Sequence, residues 1–235
     1  MLSDDAMVFS VIANYFAPTD ESVWNEITAG GVWSEFLGGV RRLLQEGHVL
    51  GQESAPIVRA RRCRPLQEFL ADEEMCALYT PPSFEEKRSF AARHLVGGLP
   101  QSAVPVESLY VSWASDARQG AFPHQKGLYM ADTALYMRDL LARMGLETPS
   151  AFANCPDHLS VELELLSYLL EEGLTAEAQE FVLERFGWLT DYRLKLVALG
   201  SEAFFALALV DIVLGARACL AESRSDKLVA AVDDC

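Results

Sequence analysis

The run Asn154-Cys155-Pro156-Asp157-His158-Leu159-Ser160-Val161-Glu162-Leu163, continued by an apolar-periodic segment to Gly173, reads as the abrupt start of a buried helix. Pro156 bars a helix from arriving through it, and Asp157 can cap the helix that leaves. Leu159, Leu163, Leu166 and Leu170 then recur at spacings of four, three and four, which places them on one stripe. Asp157, His158 and Glu162 crowd the first turn and a half, with His158 and Glu162 as an i,i+4 pair. A polar constellation at the mouth of an apolar helix predicts that something polar is held there.

Downstream, Thr175 can cap a helix through Phe181, Val182 and Phe186 to Gly187, and Trp188-Leu189 leads to a further apolar run from Leu194 to Leu199. Phe204 to Leu214 is apolar nearly all round and is predicted to be the central helix of the second half, with Asp211 in need of a partner. Ala221 to Cys235 turns polar and acidic, and a frayed tail is expected over 222–235. Upstream, Met130, Ala134, Met137, Leu141 and Met144 keep helical spacing until Gly145 stops it.

Between Gly97 and Gly127 the period is lost, with Gly97, Gly98, Pro100, Pro105, Gly120 and Pro123 in succession. Loops longer than about 12–15 residues inside compact domains are usually functional. This one carries Tyr110 and Trp113 beside Pro105, Glu107 and Ser108. The N-terminal third reads as helices: an amphipathic pattern from Asp4 to Phe16 ended by Pro18, a segment capped by Thr19 and terminated by Gly30-Gly31, and a stripe from Val32 to Leu44 closed by Gly47. Leu66 to Tyr79 is predicted to be helical. Ser83-Phe84-Glu85-Glu86 forms a capping box for a helix to about His94.

No alternation of strand type, no internal repeat and no glycine-rich phosphate motif occurs. The predicted fold is all-α: a single multi-helix globular domain over 1–221, in two helical halves (1–96 and 129–221) joined by a long Gly/Pro-containing loop (97–128).

The 235 residues suffice for a full core, and 51% hydrophobic content excludes a disordered chain. A net charge of −15 repels nucleic acid and anionic membranes. The acidic start lacks the pattern of a leader, and Ala203 to Leu214 is too short to span a bilayer, so no membrane insertion is expected. Five scattered cysteines without a C-x-x-C fit a reducing, cytoplasmic setting better than a disulfide framework.

Pro156-Asp157-His158-Leu159 with Glu162-Leu163, preceded by Val104-Pro105-Val106-Glu107-Ser108-Leu109-Tyr110 and by Leu95-Val96-Gly97-Gly98, resembles the TorD family of redox-enzyme maturation chaperones. The likeness in order and spacing covers roughly residues 90–215. Arg138, Met144-Gly145-Leu146 and Glu184-Arg185-Phe186-Gly187-Trp188-Leu189 are similar to further motifs of that family. The chain departs from the pattern at Val96 (phenylalanine in the family), at Asn154-Cys155 (where an acidic residue is common) and at Arg185 (histidine in the family). The resemblance implies a non-catalytic, cofactor-free, cytoplasmic chaperone. Its expected partner is the apo-form of a molybdopterin-containing oxidoreductase subunit, or that subunit's twin-arginine leader peptide, held until the cofactor is loaded.

Arginines followed by an apolar stretch require carboxylates beside an aromatic groove. Asp157, Glu162 and Glu107 are the candidate carboxylates, Tyr110, Trp113 and Leu159 the candidate apolar wall, and His158, Pro105 and Ser108 complete the expected peptide-binding set. Two other readings remain open from the residues. Asp157, His158 and Glu162 have side-chain types that bind divalent metal and could build a hydrolase, although no second histidine lies near. The basic island Arg59, Arg61, Arg62 and Arg64 could instead serve a helical adaptor. Dimerisation by swapping halves across the long connection is also open.

Overall fold

The computed structural model describes residues 4–44, 50–51, 71–99, 101–111, 127 and 129–233. Among them the chain forms ten α-helices and no strand: α1 (Asp4–Phe16), α2 (Glu21–Ile27), α3 (Gly30–Leu43), α4 (Asp72–Leu78), α5 (Phe84–His94), α6 (Asp132–Arg143), α7 (Leu159–Glu171), α8 (Thr175–Arg185), α9 (Leu189–Ala198) and α10 (Phe204–Asp233). The all-α expectation is met.

Local chemistry fixes several of the boundaries. Ser83 caps α5 reciprocally with Glu86: the Glu86 N–H donates to Ser83 Oγ at 3.3 Å, and the Ser83 N–H donates to Glu86 Oε2 at 2.8 Å. Gly145 and Gly173 take the left-handed conformation, at φ 72° and 71°, just beyond the ends of α6 and α7.

Four boundaries differ from expectation. Gly30 and Gly31 open α3 instead of ending α2, and the break falls at Thr28-Ala29. Thr19 and Thr175 are not caps; those positions belong to Asp20 and Leu174. The polar tail is helical to Asp233, because no glycine or proline interrupts Ala216 to Asp233 and good helix formers dominate it.

The two halves share one core. α1 lies along α7, its most extensive partner, and Ser167 Oγ of α7 donates to the Ala6 carbonyl of α1 at 2.9 Å. The Leu159, Leu163, Leu166 and Leu170 stripe is buried there with Val8, Phe9 and Ile12. α10 crosses the second half, burying Leu209, Val210, Ile212 and Val213. Gly200–Ser223 is long and apolar enough to cross a membrane by length and composition, which corrects the shorter run read from sequence, but 56% of its most apolar window is buried inside the protein. Asp211 finds its partner in Arg193 of α9, which forms a two-pronged pair at 2.6 and 3.1 Å.

His94 is buried at the end of α5 between the Gln101 carbonyl and Glu202. Arg138 is exposed and pairs with neighbouring Asp139. The Arg59–Arg64 island, His48, His124, Gly47, Leu66, Gly120, Pro123 and Trp113 lie outside the described residues.

Candidate functional site

The start of α7 is stitched to the segment that follows Pro105. Leu159 N–H donates to the Pro105 carbonyl at 2.8 Å, Glu107 N–H donates to the Asp157 carbonyl at 3.1 Å, and Val106 and His158 form an antiparallel bridge. This short patch of β-type pairing holds Pro105, Glu107 and Ser108 against Asp157, His158 and Leu159. Seven of the expected site residues are buried together there: Pro105, Glu107, Ser108, Asp157, His158, Leu159 and Glu162.

The cap of α7 is His158, not Asp157. His158 Nδ1 accepts the Ser160 N–H at 3.1 Å, which fixes the neutral tautomer with its proton on Nε2. Burial pushes the imidazole down to about 3, so it is neutral at physiological pH, and its ring packs on Phe152 with centroids 4.5 Å apart. No side-chain hydrogen bond or ion pair joins it to Glu162 among the described residues. Asp157 instead reaches across the loop, where its Oδ2 accepts the Ser108 N–H at 2.8 Å and the Thr133 hydroxyl at 3.1 Å. The carboxylate that looked like a local cap is a long-range clasp.

Glu107 and Glu162 face each other in the interior, and the guanidinium of Arg185, at the end of α8, bonds to Glu107 and stands 3.4 Å from Glu162. The Trp188 indole N–H donates to Glu162 at 3.2 Å, and Tyr136 places its ring 5.0 Å from the Arg185 guanidinium. Burial pushes Glu107 up to about 7; Arg185 opposes that rise and Asp157 adds to it. Glu162 is raised well above the usual carboxylate range by burial and then by Glu107. With one guanidinium for three buried carboxyl groups, Glu107 and Glu162 retain a proton between them.

Glu162, Glu107 and Asp157 were expected to receive a ligand's guanidinium; in this structure Arg185 of the chain itself fills that role for two of them. Tyr110 is half-buried, stacked on Trp188 at 5.4 Å, and its hydroxyl donates to the Val104 carbonyl at 3.0 Å. Arg185, Trp188, Thr133 and Phe152 were not in the expected set. The sequence run Glu184 to Leu189 pointed to the first two only as a likeness, since nothing local shows which carboxylates they meet.

The open surface of this constellation is a groove of about 660 Å³ on the other side of His158. Phe16, Phe84, Leu95, Val96, Val104, Val106 and Phe152 give it an apolar lining, and Cys155, Tyr129, Lys87 and Arg88 lie along it. Val96 is 45% exposed and Tyr129 50%, so apolar surface is presented at its rim. Among the described residues no three His, Cys, Asp or Glu side chains are disposed to hold a metal ion.

Residues 63–193, more than half of the chain, match the sequence model of the nitrate reductase delta subunit family. No curated protein matches the chain.

Proposed function

Because the chain belongs to the nitrate reductase delta subunit family of TorD-like redox-enzyme maturation chaperones, we propose that it holds the N-terminal segment of a molybdopterin oxidoreductase subunit in the groove beside His158. Members of this family are non-catalytic chaperones that bind molybdoenzyme subunits. In our reading this chain works in the cytoplasm, keeps its client's leader occupied until the cofactor is loaded, and then releases it.

The observation that carries the reading is the apolar groove abutting the helix start, with exposed apolar side chains at its rim. A buried apolar surface is worth about 25 cal/mol per Å² removed from water, so a leader's hydrophobic stretch has reason to enter it. His158 and Phe152 form the groove's wall. Asp157, Glu107, Ser108, Pro105, Leu159 and Glu162 act from behind, keeping that wall rigid by fastening the 105–110 segment to α7. Tyr110 serves the same frame through Trp188. The leader's arginines are then left to carboxylates outside this buried cluster, and Trp113 stays in the proposed peptide-binding set.

Calorimetric titration with synthetic N-terminal segments of molybdopterin oxidoreductase subunits tests this, using wild type and Val96→Asp. Wild type should bind at least one of them, and a carboxylate placed in the apolar groove should abolish binding while leaving the helical signal and urea midpoint unchanged. Equal binding by the folded variant would move the site elsewhere.

A further inference from the structure

A second, smaller groove of about 270 Å³ lies beyond Phe152, between the end of α6 and α7, and shares Ala17 and Phe152 with the first. Its lining is largely apolar, with Leu141, Leu146, Pro149, Val161, Leu165 and Tyr168. Two carboxylates, Glu147 and Glu164, stand at it. Ser160 also contributes to the lining, with its Oγ itself buried.

The first groove has the opposite polarity. Lys87 and Arg88 outnumber Asp20 there. Lys87 is committed to the Ala17 carbonyl at 2.9 Å and to the face of Trp24, which leaves exposed Arg88 as the cation an occupant meets.

We propose that one amphipathic helical segment of the partner protein occupies both grooves at once, crossing Phe152, with its basic N-terminal end against Glu147 and Glu164 and its acidic C-terminal end against Arg88. The inference rests on the groove being the client site. Two apolar pockets on either side of one ring suit side chains at i, i+3, i+4 and i+7 of a helix, and no strand edge is available among the described residues for an extended peptide to join. The dipole of the bound helix suits the receptor's charges, its positive end facing the two carboxylates and its negative end the guanidinium, while lysines in its own first turn cost it some intrinsic helicity. The charges therefore set direction, and the apolar pockets set affinity.

Two capped synthetic peptides of one composition test it, both with leucines at i, i+3, i+4 and i+7. One has lysines in the first turn and glutamates in the last; the other has them exchanged. Binding is read by calorimetry and by protection of Cys155, which lines the first groove, from iodoacetamide, with the labelled site located by peptide mapping. Wild type should prefer the lysine-first peptide by about five-fold or more, an amount suited to rim charges. Glu147→Lys alone should remove most of that preference, and Glu147→Lys with Arg88→Glu should invert it; both positions are exposed, so folding is preserved.

If both peptides bind equally, protect Cys155 and are unaffected by Glu147→Lys, then the occupant stops at Phe152 and the proposal is overturned while the client site stands. If neither peptide protects Cys155, the proposal fails as well. Loss of the client site itself is read separately, from natural leader segments and Val96→Asp.

Discussion

Arg185 stands 3.4 Å from the Glu162 carboxylate at the bottom of the polar cluster, with Glu162 fully buried and Arg185 nearly so. Together with the bond to Glu107, this ties the end of α8 to the first turn of α7 and to the segment after Pro105. Removing the guanidinium would leave two buried carboxyl groups without their cation. Arg185→Ala should therefore cost about 3–5 kcal/mol in urea unfolding. Adding Glu107→Gln should restore part of that, because one charge fewer then lacks a partner. An Arg185→Ala protein as stable as wild type would show that the cluster does not tie these elements together.

The same cluster gives stability a direction with pH. Glu107 is raised from 4.5 to about 7 in the folded protein, so folding takes up a proton in that interval. Stability from a raised carboxyl is fully present below the unfolded value and is lost as pH rises through the folded one. His158 acts oppositely: it falls from 6.5 to about 3, so the unfolded chain binds the extra proton and acid removes stability between those values. The two effects oppose each other between about 4.5 and 6.5, and above 6.5 the carboxyl pair acts without that opposition. Urea midpoints should fall from pH 6.5 to 8, and Glu107→Gln should flatten that fall. A midpoint that rises over this window would contradict the assigned proton.

The helices were legible because their signals are local. The leucine stripe of α7, the Ser83–Glu86 box and the glycines at 145 and 173 each act within a few residues of the boundary they set. The polar site was only half legible. The 105–110 segment and the 157–162 turn were expected to come together, and they do. Their roles within the site were not legible, since Asp157 is claimed by an N–H 49 residues away and a hydroxyl 24 residues away. That competition displaces it from the cap and gives the cap to His158. Arg185 was visible only as a departure from a motif, since the pairing of a buried arginine with distant carboxylates leaves no trace in spacing.

Packing at α10 gives a test independent of charge. A Cβ on Gly215 would lie 2.6 Å from Leu44 Cδ2, and Leu44 is itself buried. Alanine is favoured over glycine within a helix by about 1 kcal/mol. Overpacking a core that cannot yield costs about 1–3 kcal/mol, so Gly215→Ala should be neutral to destabilising in spite of its better propensity. Combining it with Leu44→Ala should give a smaller loss than the sum of the two changes, because the cavity left by one receives the methyl of the other. Strict additivity in urea unfolding would show that the two side chains do not meet.

The sharpest distinction concerns Asp157. Were its carboxylate a receptor for a ligand's arginine, Asp157→Asn would weaken leader binding as much as removing the side chain would. The structure gives the carboxylate a different role, because Oδ2 holds the Ser108 N–H and the Thr133 hydroxyl, and an asparagine carbonyl oxygen can accept both bonds. Asp157→Asn should therefore leave leader affinity within about two-fold of wild type, a difference below about 0.5 kcal/mol. Asp157→Ala loses both bonds and loosens the 105–110 segment, which then keeps only its backbone bonds to the start of α7. It should cost about 2–4 kcal/mol of stability, since hydrogen bonds to a charged group contribute about 1.5–3 kcal/mol each and part of the loss is recovered by solvent. Its leader affinity should fall only through the disturbed groove wall, with no change in salt dependence. A steep loss of affinity in Asp157→Asn, with the salt slope reduced and the fold intact, would instead make the carboxylate a direct contact and require the buried turn to open on binding.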